Sequence, residues 1–350
     1  MSFPFVQPYF GLGNSLQTAQ GGSGAVGGWK ELARTTLGSA VDTINVTGLA
    51  DKRYLMILKS FGGSTSGHDR FNGDSGSNYS SRYGVSGSSD YTNINKTAYP
   101  WNNAGYSTTP NLIIDYVSNL ASKEKLVHRD WIYQYTAGAS NPPRRAETIA
   151  KWTNTSDSIS STSMYSSASN YDSGSELIVL GWDPADTHTT NFWEELATNT
   201  ASGGGSTQEV TFTAKKYLWF QCYFELSGST DIPRFQVGNG SFDTGNNYAE
   251  RFSGNGGADE TQTSRSDIHI DKASSNPFFV NGFIINNASQ EKLFTIHSIE
   301  QGAAGASTAP TRIENVGKWS NTSNQIDRLR TTFGTDTINA GSIIKVWGSD

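Results

Sequence analysis

Residues Lys151–Ser156 read KWTNTS, and 167 positions later Lys318–Ser323 read KWSNTS. One Thr/Ser exchange separates the two hexapeptides, and the likeness continues on both sides. PRRAETIAKWTNTSDSI from Pro143 answers PTRIENVGKWSNTSNQI from Pro310, and GSELIVLG from Gly174 answers GSIIKVWG from Gly341. Further out the spacing drifts. WKELA at Trp29 pairs with WEELA at Trp193, KRYL at Lys52 with KKYL at Lys215, and NYSSRY at Asn78 with NYAERF at Asn247, at offsets of 164, 163 and 169. Offsets that change by a few residues between matched blocks are what loop insertions do to two copies of one fold. The chain therefore reads as two homologous domains, 29–183 and 193–350, joined by a linker at 184–192.

Each copy alternates short apolar runs with clusters of Gly, Asn, Ser and Pro. RYLMILKSF, NLIIDYV and ELIVLGW in the first copy answer KYLWFQCYFEL, FFVNGFIIN and SIIKVWG in the second. Runs of this length between turn residues are strand signals. A composition of 17% charged residues with 37 glycines is poor in the charges that helices carry. The expected fold is all-β, two tandem β-sandwich, jelly-roll-like domains with seven or eight strands per copy. WKELARTTL is expected to form a short turn at most, and SDYTNINKTAYPWNNAGYSTTP to be surface loop of the first copy.

Ahead of the first copy, residues 1–28 combine FPFVQPYF with glycines that recur without a period. This reads as an extended Gly-rich N-terminal arm, unable to form a core alone. Its expected holder is a neighbouring subunit, with Phe3, Phe5, Tyr9 and Phe10 as the partner-binding residues. Each would contribute about 1.5 to 3 kcal/mol if fully buried, less the cost of ordering the glycines.

Several function classes lose ground on composition. A net charge of −6 with scattered Lys and Arg leaves no basic face for nucleic acid. The single cysteine, Cys222 within YLWFQCYF, excludes an intrachain disulfide and reads as a buried, inert thiol. No apolar stretch reaches the ~18 residues of a membrane span, so no membrane partner is expected. The N-terminus lacks a basic region followed by an apolar core, so the expectation is a product of the cytoplasm without a secretion signal.

No constellation argues for catalysis. Arg145, Glu147 and Lys151 precede Trp152, and Arg312, Glu314 and Lys318 precede Trp319. On a strand the three charges share one face with the Trp on the other, which reads as a charge ladder over a core anchor. A general acid or base at Glu147 would want a second carboxylate or a nucleophile, and none is nearby in sequence. NGDSGSNY, with Asp74, Gly76 and Asn78 matched by Asp243, Gly245 and Asn247, reads as a turn and lacks the acidic ligands of a calcium loop. SDIHID puts Asp267, His269 and Asp271 on one strand face, too far apart and too parallel to share a metal. Its counterpart is read as TNINK, with Asn93 and Asn95. No catalytic residue, metal ligand or cofactor is assigned.

Tyr79 and Tyr83 recur as Tyr248 and Phe252 and read as core residues with satisfied hydroxyls. Tyr91, Tyr99, Trp101 and Tyr106 have no evident copy and stand among small polar residues, the mix of surfaces that grip partners or stack on sugars. They are the expected partner- or glycan-binding aromatics. Trp29 and Trp193 mark the repeat starts.

The wording of the first copy, WKELARTTLGSAVDTINVTGLADKRYLMI, RFNGDSGSNYSSRY, KWTNTS and SGSELIVLG, resembles a group of virion proteins of tailed bacteriophages. The resemblance covers the first copy closely and the second more loosely, where WEELATNTASGGG lacks RTTLGS and RFQVGNGSFDTGNNY carries an insertion. It implies a structural virion component, not an enzyme, located in the virion as capsid cement or decoration or as part of a tail or fibre. Its partners would be other virion proteins and further copies of itself. The alternative is a pair of carbohydrate-binding modules that adhere to a host glycan.

Overall fold

YLMILKSF and YLWFQCYF carry apolar residues on both faces of a strand, the signature of a strand buried between two layers. The computed structural model, which describes residues 28–63, 67–101, 110–186, 190–271 and 275–350, places both at the centre of large sheets. The arm residues Phe3, Phe5, Tyr9 and Phe10, and Tyr106, lie outside the described residues.

The first large sheet has eight strands in the order β1 (Lys30–Thr36), β12 (Glu176–Trp182), β3 (Tyr54–Phe61), β8 (Asn111–Ser118), β9 (Lys125–Tyr133), β10 (Arg144–Trp152), β5 (Tyr79–Val85) and β6 (Tyr91–Lys96). A smaller sheet covers one face, ordered β2 (Thr43–Thr47), β11 (Ser161–Ser166), β4 (Gly67–Phe71) and β7 (Tyr99–Pro100). The second half repeats this. Its large sheet runs β13 (Glu194–Thr200), β25 (Ile343–Ser349), β15 (Tyr217–Phe224), β21 (Phe278–Ile285), β22 (Lys292–Glu300), β23 (Thr311–Trp319), β18 (Tyr248–Gly254) and β19 (Glu260–Arg265). Its smaller sheet runs β14 (Thr207–Thr211), β24 (Arg328–Thr332), β16 (Arg234–Asn239) and β17 (Ser241–Phe242), with β20 (Ile268–His269) also paired to β16. Neighbouring strands are antiparallel.

The chain is thus all-β with β-sandwich domains of one strand order, and three apolar cores hold it. One fills the first sandwich around Ile57, Trp131 and Trp152, and another the second around Phe220, Phe235 and Trp319. The third joins the halves: Met56, Leu58, Ile114 and Leu180 from the first large sheet meet Trp193, Trp219, Phe283 and Trp347 from the second. The large sheets therefore pack by their outer faces.

The repeated hexapeptide is explained by local bonds present in both halves. Trp152 Nε1 donates to Asp74 Oδ2 at 2.7 Å, and Trp319 Nε1 to Asp243 Oδ2 at 2.7 Å. Each Asp also accepts the backbone N–H two residues on, at Gly76 and Gly245, both at 2.8 Å. The Tyr79 hydroxyl bonds the Phe71 and Asp74 carbonyls, and Tyr248 those of Val237 and Asp243. Asn154 and Asn321 accept the N–H groups that follow them, closing equivalent turns.

Several expectations need correction. WKELARTTL is not a turn: it forms β1, a partly exposed edge strand with a bulge between Glu31 and Ala33, matched by β13 with one between Glu195 and Ala197. The described halves contain more than seven or eight strands each, because the loops fold into short strands such as β6, β7, β17 and β20. The insertion in the second copy is the β16–β17 hairpin. The counterpart of SDIHID is not TNINK: β6 stands where β19 does, and the residues answering to β20 are those of β7.

Candidate interaction surface

The Arg145 end of the predicted charge ladder lies at the junction between the halves. Along β10, Arg145, Glu147 and Lys151 share the outer face while Trp152 points into the first core. Arg145 is buried, with its guanidinium 2.5 Å from Glu147 Oε1, 2.7 Å from Glu314 Oε2 and 2.8 Å from Asp259 Oδ1. A second carboxylate does stand beside Glu147, then, contributed by the other half. Arg312, largely exposed, holds the far side of Glu314 at 2.9 Å. Burial alone would lower the pKa of Arg145, but the bond to Asp259 and the charges of Glu147 and Glu314 outweigh it and push it up. Burial raises Glu147 above the usual carboxylate range, whereas the bond to Arg145 brings Glu314 below it despite burial. Two carboxylates on one arginine resemble an acid/base pair in outline. Both carboxylates, one from each half, face the Arg145 cation, and the arrangement ties the halves together.

Lys151 and Lys318 behave differently although they are copies. Lys151 pairs with Glu124 at 2.9 Å, with both side chains about 40% exposed. Lys318 is fully buried, 3.1 Å from Glu291, and donates to the Thr136 carbonyl of the first half at 2.7 Å.

Tyr99 and Trp101, expected on the surface, are 1% and 4% exposed. Four buried charges hold them there. Lys59 Nζ lies 2.8 Å from Asp69 and 2.6 Å from Asp115, and Arg129 bonds both aspartates. Trp101 Nε1 donates to Asp69 at 2.8 Å, and Arg129 stacks over the Tyr99 ring with its central carbon 4.2 Å from the ring centre. Asp115 is kept ionised well below the ordinary range, burial being overcome by Arg129 and Lys59. The signal missed in the sequence was three ionisable residues inside apolar runs: Lys59 in YLMILKSF, Asp115 in NLIIDYV and Arg129 in KLVHRDW. In the second half the same positions carry Cys222, Phe235, Gly282 and Ile296, so an apolar packing replaces the ion cluster. Cys222 is buried, and burial pushes its thiol far up.

Of the remaining predicted aromatics, Tyr91 is exposed and stacks on Tyr83 at 5.2 Å. Tyr83 is therefore a partly exposed partner of Tyr91 and not a core residue. Trp29 and Trp193 belong to the core between the halves.

Asp267, His269 and Asp271 do not converge. Asp267 pairs with Arg234 at 3.5 Å, while His269 Nδ1 lies 3.3 Å from Glu250 Oε1. The other Glu250 oxygen accepts the His269 N–H and Asn315 Nδ2 at 2.9 and 2.7 Å. Among the described residues no three His, Cys, Asp or Glu side chains are placed to share a metal ion.

Among the described residues, a groove of about 960 Å³ lies on the outer face of the first large sheet. Its floor includes Leu126 and Ile149, and Ile94 of β6 lies at the sheet edge; all three are exposed. Its rim holds Trp29 and the stacked pair Tyr54–Trp182, with ring centres 5.4 Å apart. Tyr116 and His128 stack along the wall at 6.1 Å. Asn281 and His297 of the second half close one side. Sequence reasoning missed this surface because it is spread over seven strands of the first half.

The chain matches no protein-family model and no curated protein. Among solved structures it is similar to the LG1-3 region of the laminin alpha2 chain, at 8% identity and a TM-score of 0.21, covering 93% of this chain and 63% of that one. It is also similar to human GIVD cytosolic phospholipase A2, at 6% identity and a TM-score of 0.12, covering 78% and 33%. The chain thus spans less than two thirds of the length of either, and likeness at this level carries nothing about function.

Proposed function

We propose that this chain is a structural component of a bacteriophage virion, joined to its neighbours through the N-terminal arm and the surfaces of its sandwiches. The observation that supports this most is the apolar groove. The buried charges around Asp115 and Arg145 are engaged inside or between the two sandwiches, and the groove is lined largely by apolar and aromatic residues, suited to a protein segment. The resemblance of the first copy to tailed-phage virion proteins supports the same reading.

The test is a chain lacking residues 1–27. It is expected to keep both sandwiches folded and to be missing from purified particles when it replaces the full chain in an infected host. Incorporation at the full-length level would contradict the role of the arm. The stacked Tyr54–Trp182 pair favours one rival, adhesion to a host glycan. Selective binding on a glycan array, lost in Trp182→Ala, would establish that rival.

A further inference from the structure

Equivalent residues on the two large sheets differ sharply in exposure. In the second half Leu293 and Val316 are 0% and 4% exposed, whereas their counterparts Leu126 and Ile149 are 58% and 55% exposed. Leu293 and Val316 are packed into the core between the halves, and beside them segment 134–143 of the first half is bonded to the second. Its Thr136 carbonyl accepts from Lys318, its Gly138 N–H donates to Glu291 at 2.6 Å, and its Ala139 carbonyl accepts from the Ser264 N–H at 2.7 Å. Segment 301–310 has the same length and the same AGAS tetrapeptide, but it is exposed along most of its course. The second-half residues are therefore covered by the first half, while their first-half copies are left open and equally apolar.

The chain ahead of Gly28 is the candidate to cover them. Trp29 forms part of the groove rim, so the polypeptide enters the described structure at the groove itself. Residues 1–29 contain no Asp, Glu, Lys or Arg, which suits an apolar floor where a charge would lose its hydration. Within them Phe3, Phe5, Val6, Tyr9 and Phe10 set five large side chains in eight residues. Crossing the sheet from β1 to β6 spans about 34 Å at ~4.8 Å per strand. The segment from Phe10 to Gly28 can extend to about 60 Å. A tether of this kind gives an effective concentration of order millimolar, well above that of any neighbour in dilute solution.

We propose that the groove on the first large sheet is the seat of residues 3–10 of this chain, laid across it in the free subunit by the same molecule. The inference stands apart from the virion reading and can fail or hold without it.

The test uses the full-length chain carrying Phe5→Cys and Ile149→Cys, with Cys222 buried and silent. Mildly oxidised as an equal mixture of isotope-labelled and unlabelled protein, it is expected to form a disulfide within single chains. Phe5→Cys with Thr211→Cys, on the smaller sheet of the second half, is expected to form none. No disulfide with Ile149→Cys, or one joining labelled to unlabelled chains, would overturn the proposal. A second measurement covers a variant that misfolds. Chymotrypsin should cut the arm of the wild-type chain at least tenfold more slowly than a synthetic peptide of residues 1–27, and Leu126→Arg, at an exposed site, should restore the peptide rate. Equal rates for the wild-type chain and the peptide would overturn it. Because both measurements use purified subunits, their failure leaves particle incorporation as a separate question.

Discussion

Glu250 and His269 form a pair in which each opposes the pH dependence of the other. Burial pushes Glu250 up to about 7 and His269 down to about 4. Between about pH 4.3 and 7 the folded Glu250 binds more protons than the unfolded one, so its contribution falls as pH rises. Between about pH 4 and 6.5 the unfolded His269 binds more protons than the folded one, so its contribution rises. The slopes overlap and offset each other. Glu250→Gln keeps the acceptor for Asn315 but removes one slope, and urea unfolding of that variant should show stability increasing by about 1 to 3 kcal/mol from pH 4 to 6.5 relative to wild type. Parallel profiles would contradict this. The ion cluster of the first half gives a second prediction at this scale. Arg129→Met leaves Asp69 and Asp115 buried with Lys59 alone and should cost about 3 to 5 kcal/mol. Installing the residues of the second half together, Lys59→Cys, Asp69→Phe, Asp115→Gly and Arg129→Ile, should cost less than that single change, as read by denaturant midpoints. Tyr99 and Trp101 show where residue-level reading ran out. Aromatics among small polar residues suggest a surface, and only the charges that Asp69 and Arg129 bring from other strands explain why these two are inside.

At the scale of elements, strands with continuous or alternating apolar residues were legible, and the repeat gave the pairing of halves before any geometry. The short strands were not legible. A two-residue strand such as β7 or β20 has no period to detect, and β1 shows no apolar alternation because it is shallowly buried along its whole length. The turn at Asp74 is legible in NGDSGSNY, but its bond to Trp152 requires knowing that β10 ends beside it. That bond predicts the effect of a mutation. Asp74→Ala orphans the Trp152 N–H and the Gly76 N–H and should cost about 1 to 3 kcal/mol, measured by thermal or urea unfolding. Asp243→Ala should cost a similar amount in the second half. A cost within experimental error at either site would mean that the turn is held by something else.

Across the whole molecule, the decisive feature is that two copies of one sandwich pack by their large sheets and leave part of one face open. The apolar residues of both faces are visible in YLMILKSF and YLWFQCYF, but a strand pattern does not say what covers its second face, so the third core and the groove are not legible from it. Arg145 fastens the junction. Arg145→Ala leaves Glu314 and Asp259 without their shared cation, and the two halves should then unfold in separate steps in calorimetry, where the wild type gives one. A single transition in both would show that the apolar core between the halves suffices. An arm that lies in its own groove in the free subunit could be exchanged for a neighbour's with the same contacts, a low-cost route to assembly.

The proposal that this chain serves a phage particle by burying surface among its neighbours is tested most directly by cryo-electron microscopy of purified particles. It predicts density for both sandwiches at a fixed copy number, with an extended aromatic segment lying across the first large sheet. Particles that contain no such density, from a host in which the chain is made and folded, would contradict it.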